Sequence, residues 1–318
     1  MSDHTETVKV SAYSTSRPDT LFRDLCSIVR SSGGPLTPEV QQYINTDRRL
    51  DMLFADLRDN DLATDDAQRF FSRASRYGLP GYDDLRFRDN YIVSYDRENK
   101  HPLWVLDHVP ALRNYTPGIQ GEFHSESIDF RPDYSIPRRY RSYNDDYRHS
   151  GYDRGHVSPA RQHKYQQYSW LEQSYMLSNI APFEPNINRD GCTWWRLERY
   201  VYGFLPWRSK NVYVATGALY DPLVSQYIVI GPNRVGVPTH FYKMIVHESK
   251  MDTLIMEAFV VPNSGEVDQD EDLEDFRIDI DNDLPNLERD TGLRFFDRLE
   301  RSMIEKPDKF QYGFNQWY

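Results

Sequence analysis

The stretch Ser150–Lys164, "SGYDRGHVSPARQHK", decides how this chain reads. Asp153, Arg154, Gly155 and His156 stand side by side, directly after an Arg- and Tyr-rich run. Hydrolysis of a phosphodiester needs a base for water, a cation for the leaving oxygen and donors that hold the phosphate in line. His156 is a candidate base, because a free imidazole titrates near about pH 6.5. Arg154 offers a forked contact to phosphate. On an extended segment residues two apart share a face, which would bring Arg154 and His156 together. Gly155 between them lets the backbone turn or approach a partner closely.

Downstream, "SYMLSNIAPFEPNINRDGCTWWRLERY" (174–200) supplies oxygen ligands. Asn179 sits with Ser178 inside an apolar run. Asn188 precedes a helix expected over 192–205, where it is either an N-cap or a ligand. Mg²⁺ prefers oxygen donors, keeps several waters and needs few protein groups. Glu198, on that helix, either orients such waters or pairs on the surface with Arg199.

The net charge of −11 speaks at first against a nucleic-acid partner. Its distribution reverses that reading. Residues 266–290 hold 12 acidic side chains against Arg277 and Arg289, so this segment accounts for nearly all of the excess. Residues 131–164 hold eight Lys and Arg against four Asp, a local net charge of +4 around the opening motif. Arg138, Arg139, Arg141 and Arg148 are candidate backbone contacts there. The acidic segment reads as a solvated loop and helix face.

Two cysteines, Cys26 and Cys192, make neither a disulfide framework nor a zinc site, and a reducing compartment fits them. No run of about 18 apolar residues is present, so no membrane span is expected. The first 20 residues have no apolar signal core, and Asp3 and Glu6 run against a mitochondrial presequence.

Residues 1–75 read as a flexible start followed by a helical extension, 76–300 as the main domain and 301–318 as a tail. Strands are expected at 90–96, 102–109, 211–219, 226–231, 240–248 and 254–262, rich in β-branched and aromatic residues. Helices are expected at 165–175, 192–205 and 292–301. The sum is an α+β domain around a mainly antiparallel sheet.

"DRGHVSPA", then "YMLSNIAPF", an Asn and "W-x-x-LE" resemble the DNA/RNA non-specific endonucleases with a ββα-metal (His-Me finger) site. "YGLPGYDDLRFRDNYIVSYD" (77–96), "DFRPDYSI", "NVYVATGALY", "VGVPTHFYKMIV" and "ERDTGLRFF" resemble the endonuclease G branch, in the same order. The likeness spans roughly residues 76–298 and implies the ββα-metal fold, with helices flanking the sheet. It implies a sequence-nonspecific endonuclease acting on DNA and RNA, dependent on Mg²⁺ with Mn²⁺ as a substitute, and leaving 5′-phosphates. His156 would be the base, Asn188 the metal ligand, and Glu198 would hold a water of the ion. Arg154 would contact phosphate or stabilise the transition state, Asn179 would orient His156 or touch substrate, and Arg148 would bind substrate. A homodimer and a mitochondrial or nuclear location are implied as well; a cytosolic one stays open.

One departure bears on the metal. Asn188 and Glu198 are ten positions apart, two more than in the family pattern. Inside a helix two extra residues would turn Glu198 by about 200° relative to Asn188. Both can face one ion only if the extra pair forms a loop, which Gly191 permits. A second reading therefore keeps the fold as a nucleic-acid- or protein-binding module with little catalysis.

Overall fold

The computed structural model describes residues 65–111, 128–163, 168–223, 226–305 and 307. The rest of the extension and of the tail lies outside them. A seven-stranded sheet forms the middle layer, in the order β1 (Leu85–Phe87), β2 (Ile92–Asp96), β3 (His101–Pro110), β6 (Ser209–Leu219), β9 (His240–Ser249), β10 (Leu254–Pro262), β11 (Ile304–Glu305). Its pairings are antiparallel except β10 with β11. Side-chain alternation sends each strand's residues to two cores. Trp104, Leu106, Tyr213, Ala215, Tyr242 and Met244 join one; Val105, Val109, Val212, Val214, Phe241 and Ile245 join the other.

The first core is closed by helix α1 (Asp65–Ala74) through Ala67, Phe70, Phe71 and Ala74, so the last turns of the extension pack against the sheet. The second core carries the functional layer. Strands β4 (Asp153–His156) and β5 (Ile180–Phe183) pair antiparallel, His156 opposite Ile180. The one-turn helices α2 (Asn144–Tyr147) and α3 (Ala160–His163) flank β4, and α4 (Tyr168–Ser174) leads towards β5. After β5 come α5 (Pro185–Asn188) and α6 (Thr193–Glu198), a π-helical stretch Arg199–Phe204 and α7 (Leu205–Arg208). Trp194, Leu197, Tyr200, Val201 and Leu205 plant this helical run on the sheet. Strands β4 and β5 followed by helices are the ββα unit.

Two expected elements differ. Of 226–231, only β7 (Val229–Ile230) is strand, paired with β8 (Val235–Gly236) outside the main sheet. The helix expected at 292–301 lies upstream, as α8 (Leu284–Thr291). Pro285 opens that helix, and Gly292 ends it at φ +69°, in the left-handed region. Leu293, Phe295 and Phe296 then enter the first core from irregular backbone. The acidic segment is correspondingly anchored: Leu273, Phe276, Leu284 and Leu287 are buried and Glu274 and Glu288 half-buried, while its other carboxylates are exposed.

Candidate active site

A cleft of about 580 Å³ opens above the second core, and His156, Arg161, Tyr175, Asn188, Asp190 and Glu198 are among the residues lining it. His156 ends β4. Its ring stands edge-on to Tyr175, centroids 4.7 Å apart, and 5.3 Å from Phe130. Its Nε2 is buried with no hydrogen-bond partner among the described residues, and the residue lines the cleft. Burial, helped by the Arg154 charge, pushes the imidazole down to about 4, so at neutral pH it is an uncharged acceptor.

Asn179 is the staple behind this strand. Its Oδ1 accepts from Ser158 N at 2.8 Å, and its Nδ2 donates to Ser158 O and Ser174 O, both at 2.9 Å. It is fully buried and is not among the residues lining the cleft; its three bonds fix the chain leaving His156. Arg154 is exposed; it donates to Asn144 Oδ1 at 2.8 Å and stacks 4.5 Å over Phe130. It shares that ring with His156, as residues two apart on a strand should, but it does not line the cleft. Arg148 is mostly exposed and lies 3.6 Å from Asp145, also outside the cleft. The structure thus brings together His156, Asn188 and Glu198, and leaves Arg154, Asn179 and Arg148 around them.

Asn188 is the last residue of α5, and the N-cap position of α6 belongs to Cys192, so the capping alternative falls. Asn188 Nδ2 donates to Asp153 Oδ2 at 3.4 Å, which leaves Oδ1 as the amide atom free to ligate. Asp153 is held in turn by Arg189, 3.1 Å away. The two extra residues form the expected loop: residues 189–192 are non-helical, Cys192 N bonds Arg189 O at 2.9 Å, and Gly191 takes φ +87°. Helix α6 therefore starts afresh, and Glu198 returns to the cleft. Arg199 stacks 4.8 Å over Trp195 and does not pair with Glu198.

Beneath Glu198 lies a polar group that the sequence reading passed over. Asp107, Thr216 and Lys243 project from β3, β6 and β9 in phase with the valines and isoleucine of the second core, and all three are fully buried. Thr216 and Lys243 are direct register partners, with Lys243 Nζ donating to Thr216 Oγ1 at 3.0 Å. Lys243 Nζ also lies 4.5 Å from the Trp194 ring and 5.2 Å from that of Tyr202. Asp107 accepts from Tyr202 OH and Ser158 Oγ, each at 2.7 Å. Ser158 is two residues from His156, so this network joins the base strand to the Glu198 helix. Burial raises Glu198, with Lys243 the strongest opposing influence. Burial pushes Asp107 up to about 6, offset by its two hydroxyl donors. The available signal was an acid in "PLWVLDHV" and a Lys in "HFYKMIV", each inside an otherwise apolar strand.

A model of the DNA/RNA non-specific endonuclease family matches residues 72–302. This chain belongs to that family. The endonuclease is 36% identical over 228 residues to mitochondrial endonuclease G of Bos taurus, covering 70% of this chain and 72% of that one, and equally so to the Homo sapiens protein. It is 35% identical to the mitochondrial nuclease of Saccharomyces cerevisiae, over 71% and 70% of the two chains. A crystal structure of EndoG with EndoGI superposes at a TM-score of 0.67 with 37% identity, covering 74% of this chain and 95% of that one. The endonuclease G branch read from the motifs is thus shown, and with it a phosphodiester-hydrolysing enzyme acting on nucleic acid.

The donors fit a hard divalent cation. Amide and carboxylate oxygens of Asn188, Asp190 and Glu198 border a cleft wide enough for several waters. No helix among the described residues is long and apolar enough to cross a membrane.

Proposed function

We propose that the endonuclease cleaves DNA and RNA without regard to sequence, dependent on Mg²⁺ or Mn²⁺, with His156 as general base. One observation carries the reading: His156 and the oxygens of Asn188 and Glu198 border a single cleft. The neutral imidazole takes a proton from the water that attacks phosphorus in line. Asn188 would hold the cation directly, and Glu198 would hold it through water. When bound there, the cation supplies positive charge to the scissile phosphate and the departing 3′ oxygen. Cleavage on that side leaves 5′-phosphate ends. Arg154 contributes its charge from the rim, helping to keep His156 neutral. Contacts directed at phosphate explain the lack of base preference.

The test is cleavage of plasmid DNA and of RNA by the unsubstituted chain and by His156→Ala, each with Mg²⁺ and with EDTA. Cleavage confined to the unsubstituted chain with Mg²⁺ supports the reading; equal cleavage by the variant removes His156 as the base. A mitochondrial location is proposed from the names of the relatives, and imaging of a C-terminally tagged chain decides it. A homodimer is proposed from the family likeness, and sedimentation velocity decides that.

A further inference from the structure

Arg161 is the one Lys or Arg among the described residues lining the cleft. Its guanidinium makes no ion pair and no hydrogen bond with any described residue. The turn that carries it is anchored from its inner side. His163, two residues on, is fully buried, with Nε2 2.9 Å from Ser158 Oγ and Nδ1 3.0 Å from Asn90 Nδ2. Gln162 is also buried, and its N–H bonds Pro159 O at 3.0 Å. The inner residues of α3 therefore lock the turn, and Arg161 is presented outward beside the base.

The nearby cations are committed elsewhere: Arg154 to Asn144 and Phe130, Arg189 to Asp153, and Lys243 to the buried network. A phosphodiester entering the cleft meets a neutral imidazole on one side and carboxylates on the other. Among the side chains of the protein wall itself, Asp190 and Glu198 repel its oxygens and Arg161 is the cation that opposes them, its charge already acting on Glu198. A guanidinium with its donors unspent matches the non-bridging oxygens of a phosphate in charge and in shape.

We infer that Arg161 is a substrate-binding residue that grips a phosphate of the nucleic-acid backbone at or next to the scissile bond. This rests on the nuclease reading above and adds to it the cation that Arg154 does not supply inside the cleft.

The experiment measures binding of a short fluorescein-labelled DNA duplex, with Mg²⁺, over a series of KCl concentrations. It compares His156→Ala, His156→Ala/Arg161→Ala and His156→Ala/Arg289→Ala; Arg289 sits on α8, away from the cleft, and controls for loss of one charge. Arg161→Ala should weaken binding by about tenfold and reduce the slope of log K against log salt by about one, since one phosphate contact is lost. Arg289→Ala should change neither. Arg161→Lys should recover the slope but only part of the affinity, because a point charge replaces the fork. Equal affinity and slope with and without Arg161, or losses equal to those of Arg289→Ala, overturn the inference. Failure of the nuclease reading shows separately, as absence of Mg²⁺-dependent cleavage by the unsubstituted chain.

Discussion

The ring of Phe183 occupies the space that any side chain on Gly155 would need. That ring has little room to retreat: it is stacked on Phe241 with centroids 3.7 Å apart and planes 3° from parallel, and Trp194 packs beside the pair, 5.4 Å from Phe183 and 5.6 Å from Phe241. Gly155 thus sets how closely the base strand lies on the second core. We expect Gly155→Ala to destabilise the fold by about 1–3 kcal/mol, the usual cost of overpacking. It should also lower cleavage by more than the loss of folded protein, because His156 is the next residue. Urea unfolding beside specific activity separates the two effects; a variant of unchanged midpoint would refute the packing role.

Acid should weaken the fold through its histidines. Burial, the first cause in each case, pushes His108 and His156 down to about 4 and His163 down to about 3. In the unfolded chain they titrate near about 6.5. Between those limits the unfolded chain holds more protons, so stability falls as the pH falls. Their contribution is complete above about pH 6.5 and drains away as the pH drops through 4 and then 3. Each imidazole adds a slope of at most about 1.4 kcal/mol per pH unit. Urea midpoints measured down from neutral pH should fall steadily in this window, and a flat profile to about pH 4 contradicts the burial of these rings.

The motifs singled out His156, Asn188 and Glu198, which the structure gathers on one cleft, because their order along the chain is distinctive. The long strands β3, β6, β9 and β10 were legible through β-branched and aromatic runs that carry two faces at once. Arg161 was not legible: nothing in "SPARQHK" says that its neighbours Gln162 and His163 are buried and so present it to the cleft. Asp107 and Lys243 were visible as polar breaks in apolar strands, but their convergence depends on the register of β3, β6 and β9. Strand periodicity puts Arg154 on the face of His156, and the structure keeps both there, yet Phe130 stands on that face and takes the guanidinium. The helix expected at 292–301 failed because Gly292 stops α8 just before the aromatic residues that suggested it.

Lys243 should set the pH at which the enzyme works. Burial raises Glu198, and the buried ammonium is the strongest influence holding its carboxylate ionised. Lys243→Met keeps much of the volume against Trp194 and Tyr202 but removes the charge. Glu198 then keeps its proton to higher pH and holds the ion's waters poorly. The acid limb of log kcat/KM against pH should move upward, with about a tenfold loss or more near pH 7 that is partly recovered near pH 9. A uniform loss at every pH would mean that Lys243 serves packing alone.

Deleting Asp190 and Gly191 tests how the ion's two sides are held. Asn188 is fixed from below: Ile187 is buried in the second core, Asn188 N bonds Glu184 O at 3.2 Å, and Asp153 takes the side chain. Glu198 is fixed separately, by Trp194 and Leu197 on the same helix. The loop between them spans two anchored ends and does not determine either. The shortened chain should therefore fold, unfold within a few degrees of the parent, and keep Mg²⁺-dependent cleavage within about tenfold, each about 1.4 kcal/mol being a factor of ten in rate. A folded but inactive product would instead assign the Asp190 carboxylate to the ion, and Asp190→Asn in the full-length loop would then have to show the same loss.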